Sequence, residues 1–308
     1  MTDSLTGKVA IVTGSGGGIG RGVAMLMAAE GAKVVVNDLG TAVDGEGNSS
    51  SPADSVVAEI KAAGGEAVAN YESVATMEGG ENIVKSALDN FGKLDIVVTV
   101  AGILRDRMIF NMTEEEWDAV IAVHLKGTFS VVKYASILFR QQRSGRIITF
   151  SSESGLFGNS GQGNYAAAKS GIAGFTKVVA RDLGRYGVTA NSIAPRASTR
   201  MTATVPDTAR QMRNARGDRD DAEPVQPPSM DASGVAPMVC YLASDMADGV
   251  NGQTFLLYEG NVTLLSLPRR IRTIFKQGRW TLDEIAELAP KHITQNLPNP
   301  SPVQPPRQ

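Results

Sequence analysis

The sequence predicts a doubly wound α/β domain, a parallel sheet with helices on both faces. Two observations carry this. Short apolar runs rich in β-branched residues recur along the chain, and each is followed by a stretch with helical spacing of its apolar residues. A third is the run of glycines at 14, 16, 17, 18 and 20, directly after the first apolar run.

Taken in order, Lys8 to Thr13 reads as a strand and Arg21 to Glu30 as a helix. Ala32 to Asn37 is a second strand, Ala53 to Ala63 a helix, and Ala67 to Tyr71 a third strand. Glu78 to Phe91 reads as a helix and Leu94 to Val100 as a strand. Thr113 to Phe139 reads as one long helix. Arg146 to Ser151 (strand), Tyr165 to Tyr186 (helix) and Val188 to Ile193 (strand) complete the alternation. Such alternation is the pattern of a Rossmann fold. There is no internal repeat.

Three segments interrupt it. Gly40 to Pro52 is a Gly/Ser-rich loop. Arg196 to Ser229 is polar and proline-dotted and reads as a substrate lid over 196–229. Leu267 to Gln308 opens with Arg269, Arg270 and Arg272, contains a helical stretch from Thr281 to Leu288, and ends Pro-rich and disordered in expectation. The division expected is a Rossmann-type domain over 1–265 and a C-terminal extension over 266–308.

Composition narrows the function. With 308 residues and a formal net charge of −2, the chain offers no basic surface for nucleic acid. It has no apolar stretch long enough to span a bilayer. Its one cysteine, Cys240, lies among apolar residues and reads as core. Met1 to Lys8 lacks the apolar centre of a secretion signal, and Pro305 to Gln308 matches no peroxisomal address, so a cytoplasmic setting is expected. No metal-ligand cluster is expected.

The glycine loop is the first chemical signal. Gly14, Ser15, Gly18, Ile19 and Gly20 form a tight turn from strand to helix, where free N–H groups and the helix dipole would receive a pyrophosphate. The second strand ends in Asn37-Asp38. Asp38 stands where an acid would bind a ribose 2′-hydroxyl and repel a 2′-phosphate, which points to NAD. Leu39 follows it, and no Arg or Lys occupies Ser15 to Gly17.

The second signal is Tyr165-Ala166-Ala167-Ala168-Lys169. Helical i,i+4 spacing brings phenol and ammonium together, and a nearby cation favours the phenolate. Tyr165 then becomes a general acid/base. Ser152, on the loop after the Arg146–Ser151 strand, would hydrogen-bond a substrate oxygen as charge develops.

Together Thr13-Gly14-(x)3-Gly18-x-Gly20, Ser152 and Tyr165-(x)3-Lys169 resemble the classical short-chain dehydrogenases/reductases, over about Thr6 to Asn261. The resemblance implies hydride exchange between an alcohol or ketone and a nicotinamide. Tyr165 would pass the proton, Lys169 would hold the nicotinamide ribose, and Ser152 would orient the substrate. It adds Ser73, Val74, Val100, Ala101, Gly102, Pro195 and Ser198 as cofactor contacts. It also implies that Asn191 to Pro195 packs on the nicotinamide, and that the Thr113–Phe139 and Tyr165 helices form a homodimer or homotetramer.

Longer strings, Asn37 to Gly40, Ala67 to Tyr71, Gly102 to Arg107, Val123 to Gly127 and Arg200 to Thr202, resemble one branch. That branch holds the (3R)-hydroxyacyl-CoA dehydrogenase modules of peroxisomal multifunctional enzymes type 2 and their bacterial relatives. It implies an acyl-CoA thioester as substrate, with steroids or other bulky alcohols as the alternative, and an NAD-binding sensor as a reading from another class.

Three departures stand out. The family's Asn-Asn-Ala-Gly is Thr99-Val100-Ala101-Gly102, its Pro-Gly is Pro195-Arg196, and its catalytic Asn aligns with His124. The imidazole either joins a proton relay through water or packs on the helix at a subunit contact. Arg196 would gate the pocket or meet an acidic substrate group.

Overall fold

A computed structural model describes residues 3–196, 232–258, 260–297 and 300. Eight strands form one sheet in the order β3-β2-β1-β4-β5-β6-β7-β8. They are β1 (Val9–Thr13), β2 (Lys33–Asn37), β3 (Glu66–Asn70), β4 (Ile96–Thr99), β5 (Gly145–Phe150), β6 (Val188–Pro195), β7 (Thr254–Tyr258) and β8 (Asn261–Leu264). All neighbours run parallel except β7 and β8, which pair antiparallel at one edge.

The central strands are buried along their whole length, as their mainly apolar composition suits, and the one buried cation, Arg146 on β5, is paired with Asp245 and Asp248. Successive residues of β1 point to opposite faces. Ala10 and Val12 enter a core with α1 (Gly18–Ala29) and α2 (Ser51–Ala62), while Val9 and Ile11 enter a second core on the other face. That second core is closed by α3 (Met77–Phe91) and two later helices.

The expected single helix over Thr113 to Phe139 is three pieces: α4 (Glu114–Ile121), a π-helical turn at Ala122–Lys126, and α5 (Gly127–Gln142). A π turn inserts an extra residue and re-aims the side chains within it. Here it turns His124 inward to 1% exposure. Gly127 follows because a Cβ there would lie 2.8 Å from Val74 Cγ2.

Among the described residues, two α-helices and two strands were not anticipated from the residue pattern. These are α6 (Glu153–Phe157), α8 (Ala236–Ala243), β7 and β8; between α6 and α8 lies α7 (Gly163–Gly184). Cys240 is buried in α8, and burial pushes its thiol up to about 12, as a core residue should behave.

The extension carries α9 (Leu282–His292), started by a capping box between Thr281 and Glu284 and containing no buried residue. The expected lid at 196–229 and the Pro-rich end lie outside the described residues apart from Arg196 and residue 300. Among the described residues no helix is long and apolar enough to cross a membrane, and no cluster of acidic, His or Cys side chains suits a metal.

Candidate active site

The order 3-2-1-4 places β1 between strands reached by crossovers in opposite directions. The C-terminal ends of β1 and β4 therefore flank a crevice, the usual ligand position in such sheets. The glycine loop leaves β1 there. Gly14 has φ +64°, and a Cβ on it would lie 2.6 Å from Ala101 Cα, so only glycine lets the loop approach the β4 exit. A Cβ on Gly20 would lie 2.2 Å from Gly14 O. Gly17 caps α1 without a side-chain hydrogen bond, and no acid occupies the first turn. Gly18, Ile19 and Gly20 thus form a helix start with no side-chain cap, suited to an anion.

Ser15 faces the other way. Its Oγ donates to Val12 O at 2.7 Å, its N–H donates to Asn37 O at 3.0 Å, and it is fully buried. It braces the turn rather than presenting its hydroxyl to a ligand.

The Asp38 carboxylate accepts from Gly16 N–H and from Gly40 N–H, each at 2.7 Å. It is fixed at the rim of the loop, where a ribose would lie. Leu39 leads into the Gly/Ser-rich loop and its carbonyl accepts from Ser49 N–H. That loop docks on the β4 exit: Leu104 N–H donates to Val43 O at 2.9 Å, and Arg105 pairs with Glu46.

Val100 and Ala101 donate their N–H groups to Thr13 Oγ1, at 3.1 and 3.2 Å. The hydroxyl of Thr13 thereby ties β1 to the residues where the family amide is replaced. Ser73 turns the chain after β3, and its Oγ accepts from Ala75 N–H. Val74 is buried in the second core and its carbonyl accepts from Ser130 Oγ. Pro195 ends β6 half-buried. Asn191 is buried and bound to Val250 and Gln253, so of that stretch only Pro195 reaches the mouth of the crevice. Ser198 lies outside the described residues.

The chemical group sits where β5 leaves the sheet. Ser152 caps α6 and its Oγ accepts from Ser154 N–H at 3.2 Å. α6 lies tight on α7, because Gly155 has no side chain; a Cβ there would be 2.6 Å from Ser170 N and 2.7 Å from the Lys169 carbonyl carbon. Lys169 is buried on α7 and its Nζ donates to Phe150 O at 2.7 Å. The same Nζ lies 5.6 Å from the centre of the half-buried Tyr165 ring. That ring also meets His124 edge-on, at 5.1 Å between centroids and 89°.

Electrostatics differ from the simplest reading of a Tyr-Lys pair. Burial pushes Tyr165 up to about 12, the hydrogen bond with Ser152 pulls it down, and the Asp106 carboxylate adds to the rise. Burial pushes Lys169 down to about 7. Desolvation disfavours the charged form of each, so without a further cation the phenol stays protonated.

His124 Nε2 lies 3.0 Å from Ile103 N and 2.7 Å from Ile103 O, while Nδ1 is buried with no protein partner. Burial, then the charge of Lys169, lowers His124 to about 3, so it is neutral across the physiological range. Gly102 makes room for it; a Cβ there would be 2.2 Å from His124 Cε1. Its ring is enclosed within the chain, between the β4 exit and Tyr165, rather than lying at the surface.

Several residues that spacing did not single out support the group. Gln162 donates to Asp106 and accepts from Ser154 Oγ and Asn159, each at 2.7 Å. Asn164 bonds the carbonyls of Arg105 and Glu116. No pattern in the sequence marks these, since each is an ordinary polar residue in a loop or first turn.

A crevice between β1 and β4, a glycine turn onto an uncapped helix, and a Ser-Tyr-Lys group at the β5 exit define a nucleotide-dependent oxidoreductase fold. The short chain dehydrogenase family profile matches residues 8–210. The chain belongs to the short-chain dehydrogenase family, an oxidoreductase family. It is 44% identical over 285 residues to hydroxyacyl-CoA dehydrogenase ChsB1 of Mycobacterium tuberculosis, covering 90% of this chain and 85% of that one. It is 51% identical over 199 residues to peroxisomal multifunctional enzyme type 2 of Mus musculus, covering 65% of this chain and 27% of the relative. This chain therefore spans about a quarter of that multifunctional relative's length. A crystal structure of a short chain dehydrogenase from Mycobacterium avium superposes with a TM-score of 0.78 at 42% identity, covering 93% of this chain and 94% of that one. The expected fold and the resemblance to the hydroxyacyl-CoA branch are thus borne out.

Proposed function

We propose that the chain is an NAD-dependent dehydrogenase for the secondary hydroxyl of a (3R)-hydroxyacyl-CoA thioester. The observation that carries the chemistry is the placement of Tyr165 and Lys169 on α7, with Lys169 Nζ 5.6 Å from the phenol ring centre, beside Ser152 at the head of α6, which packs on that helix. The open first turn of α1 and the fixed Asp38 carboxylate fit a dinucleotide without a 2′-phosphate. The relatives' names support the thioester.

When bound, oxidised nicotinamide supplies a hydride acceptor and a positive charge. Ser152 and Tyr165 share the substrate oxygen. In the reductive direction the neutral phenol, held protonated by burial, gives its proton to the carbonyl oxygen. In the oxidative direction the phenolate is the base, and it depends on added positive charge to overcome that burial. Lys169, anchored on Phe150 O, keeps its remaining amine hydrogens for a cofactor ribose. His124, Val100 and Gly102 shape the site rather than exchange protons.

Apolar side chains border this site. Met108 lies against Gly161 and Ile109 against Gly163, two residues before Tyr165. Both, with Phe110 and Phe157, are exposed. This border suits a long acyl chain and favours a steroid-bearing substrate as the second reading.

We take 1–265 as the catalytic unit, acting in the cytoplasm as a homodimer or homotetramer. Exposed Trp117, Phe129, Ile137 and Val178 on α4, α5 and α7 support self-association, which sedimentation would read directly. The reaction is tested by mixing the protein with NAD+ or NADP+ and a panel of (3R)- and (3S)-hydroxyacyl-CoAs and steroid alcohols. Activity only with free alcohols would discard the thioester, and binding of NAD without turnover would favour a sensor.

A further inference from the structure

We propose that Arg196 and Glu153 form a clamp that positions the Ser152 hydroxyl; this rests on the role given to Ser152 above. Glu153 follows Ser152 directly, in the first turn of α6. Arg196 follows β6 and carries its guanidinium to that turn. Nε donates to Oε2 at 2.8 Å and Nη2 donates to Oε1 at 2.7 Å, a two-pronged arrangement that fixes direction as well as distance.

Exposed ion pairs commonly contribute little, because two long side chains must be immobilised. Two features set this pair apart, in which the Arg196 side chain is 38% exposed and that of Glu153 27%. The guanidinium lies 5.2 Å from the centre of the Tyr258 ring on β7. The Arg196 N–H donates to Leu257 O at 2.6 Å. The cation is therefore held at its base by β7, flanked by an aromatic ring from β7, and aimed at α6.

α6 needs such a hold. It is five residues long, too short to be stable alone. α7 holds one side of it through the close approach of Gly155 to Lys169 and Ser170. Arg196 holds it at the first turn, beside Ser152. The Ser152 Oγ and carbonyl organise the same turn, receiving the N–H groups of Ser154, Gly155 and Leu156. Movement of Glu153 therefore moves the hydroxyl that meets substrate. A small displacement of a group that acts on the developing charge costs rate rather than binding.

The test uses the full chain with Arg196→Ala, Arg196→Lys, Glu153→Gln and the Ala/Gln double variant. Hydrogen exchange over residues 152–158 should quicken about tenfold in either single variant. With a substrate of the wild-type protein, kcat should fall roughly tenfold while KM for substrate and Kd for the reduced cofactor stay within about twofold. The double variant should be no worse than the singles, since one interaction is lost in all three. Arg196→Lys should recover little, because ammonium cannot make the paired contact. Unchanged exchange over 152–158, additive losses, or full recovery by Lys would overturn the clamp. Wild-type protein inactive on every alcohol would retire the functional reading instead, and the exchange result would still decide the clamp.

Discussion

His124 makes stability depend on pH in a way that activity should not. Its imidazole is 1% exposed and is lowered from 6.5 to about 3, first by burial and then by Lys169. The folded pKa of this base lies below the unfolded one. Stability from keeping it neutral is therefore complete above pH 6.5 and is lost as pH falls toward 3. In that window the unfolded chain binds almost one more proton than the folded chain, a slope of about 1.4 kcal/mol per pH unit. Between pH 7 and pH 5 the loss from this residue comes to about 2 kcal/mol, because the unfolded imidazole is only partly charged at the start. His124→Asn keeps a polar group for Ile103 and removes the titration. Urea denaturation of both proteins at several pH values should show a wild-type stability falling by about 2 kcal/mol more than the variant's over that range. The pH profile of kcat/KM should lack an inflection assignable to His124, and the variant's inflections should coincide with those of the wild type. Parallel stability curves, or an activity limb near 6.5 that vanishes in the variant, would refute the reasoning.

Other perturbations follow from the same geometry. Asp38→Ala removes a carboxylate that repels a 2′-phosphate, so the ratio of kcat/KM for NAD+ over NADP+ should fall by tenfold or more, roughly the effect of one close charge. Gly155→Ala forces a Cβ against α7 backbone at 2.6 Å and should cost about 1–3 kcal/mol of stability by denaturation, with a fall in kcat. Lys169 is lowered to about 7, so its neutral burial contributes stability present above its unfolded value of 10.5 and lost as pH falls toward 7. Lys169→Met should flatten that limb in denaturation between those pH values.

Much of the sheet was legible because a strand buried on both faces needs an unbroken apolar run. β1, β2, β4 and β5 each carry a run of two to four adjacent apolar residues, and their limits were read within about two residues. β8 was not legible for the opposite reason: it is an exposed four-residue antiparallel edge that needs no core pattern. The π turn was hidden too, since Ala122 to Lys126 keeps helical composition and the contact of His124 with Ile103 that accompanies it joins residues distant in the chain.

At the site, Tyr165, Lys169, Gly14 and Asp38 were legible because their spacing is set by helix and turn geometry. Ser15 lies in the loop, and what its position does not reveal is that its hydroxyl satisfies backbone carbonyls of the turn. The ionisation of Tyr165 was also beyond the sequence, because i,i+4 spacing reports proximity to Lys169 but not the burial that opposes it. Glu153 and Arg196 are far apart in the chain, and only β5 and β6 lying side by side makes them partners.

The most direct test of the central claim is reduced-nicotinamide formation from NAD+ and a (3R)-hydroxyacyl-CoA, measured for the wild-type chain and for Tyr165→Phe. The wild type should turn over, and kcat of the variant should fall about a thousandfold with cofactor affinity retained. Equal turnover by the two proteins would contradict that claim.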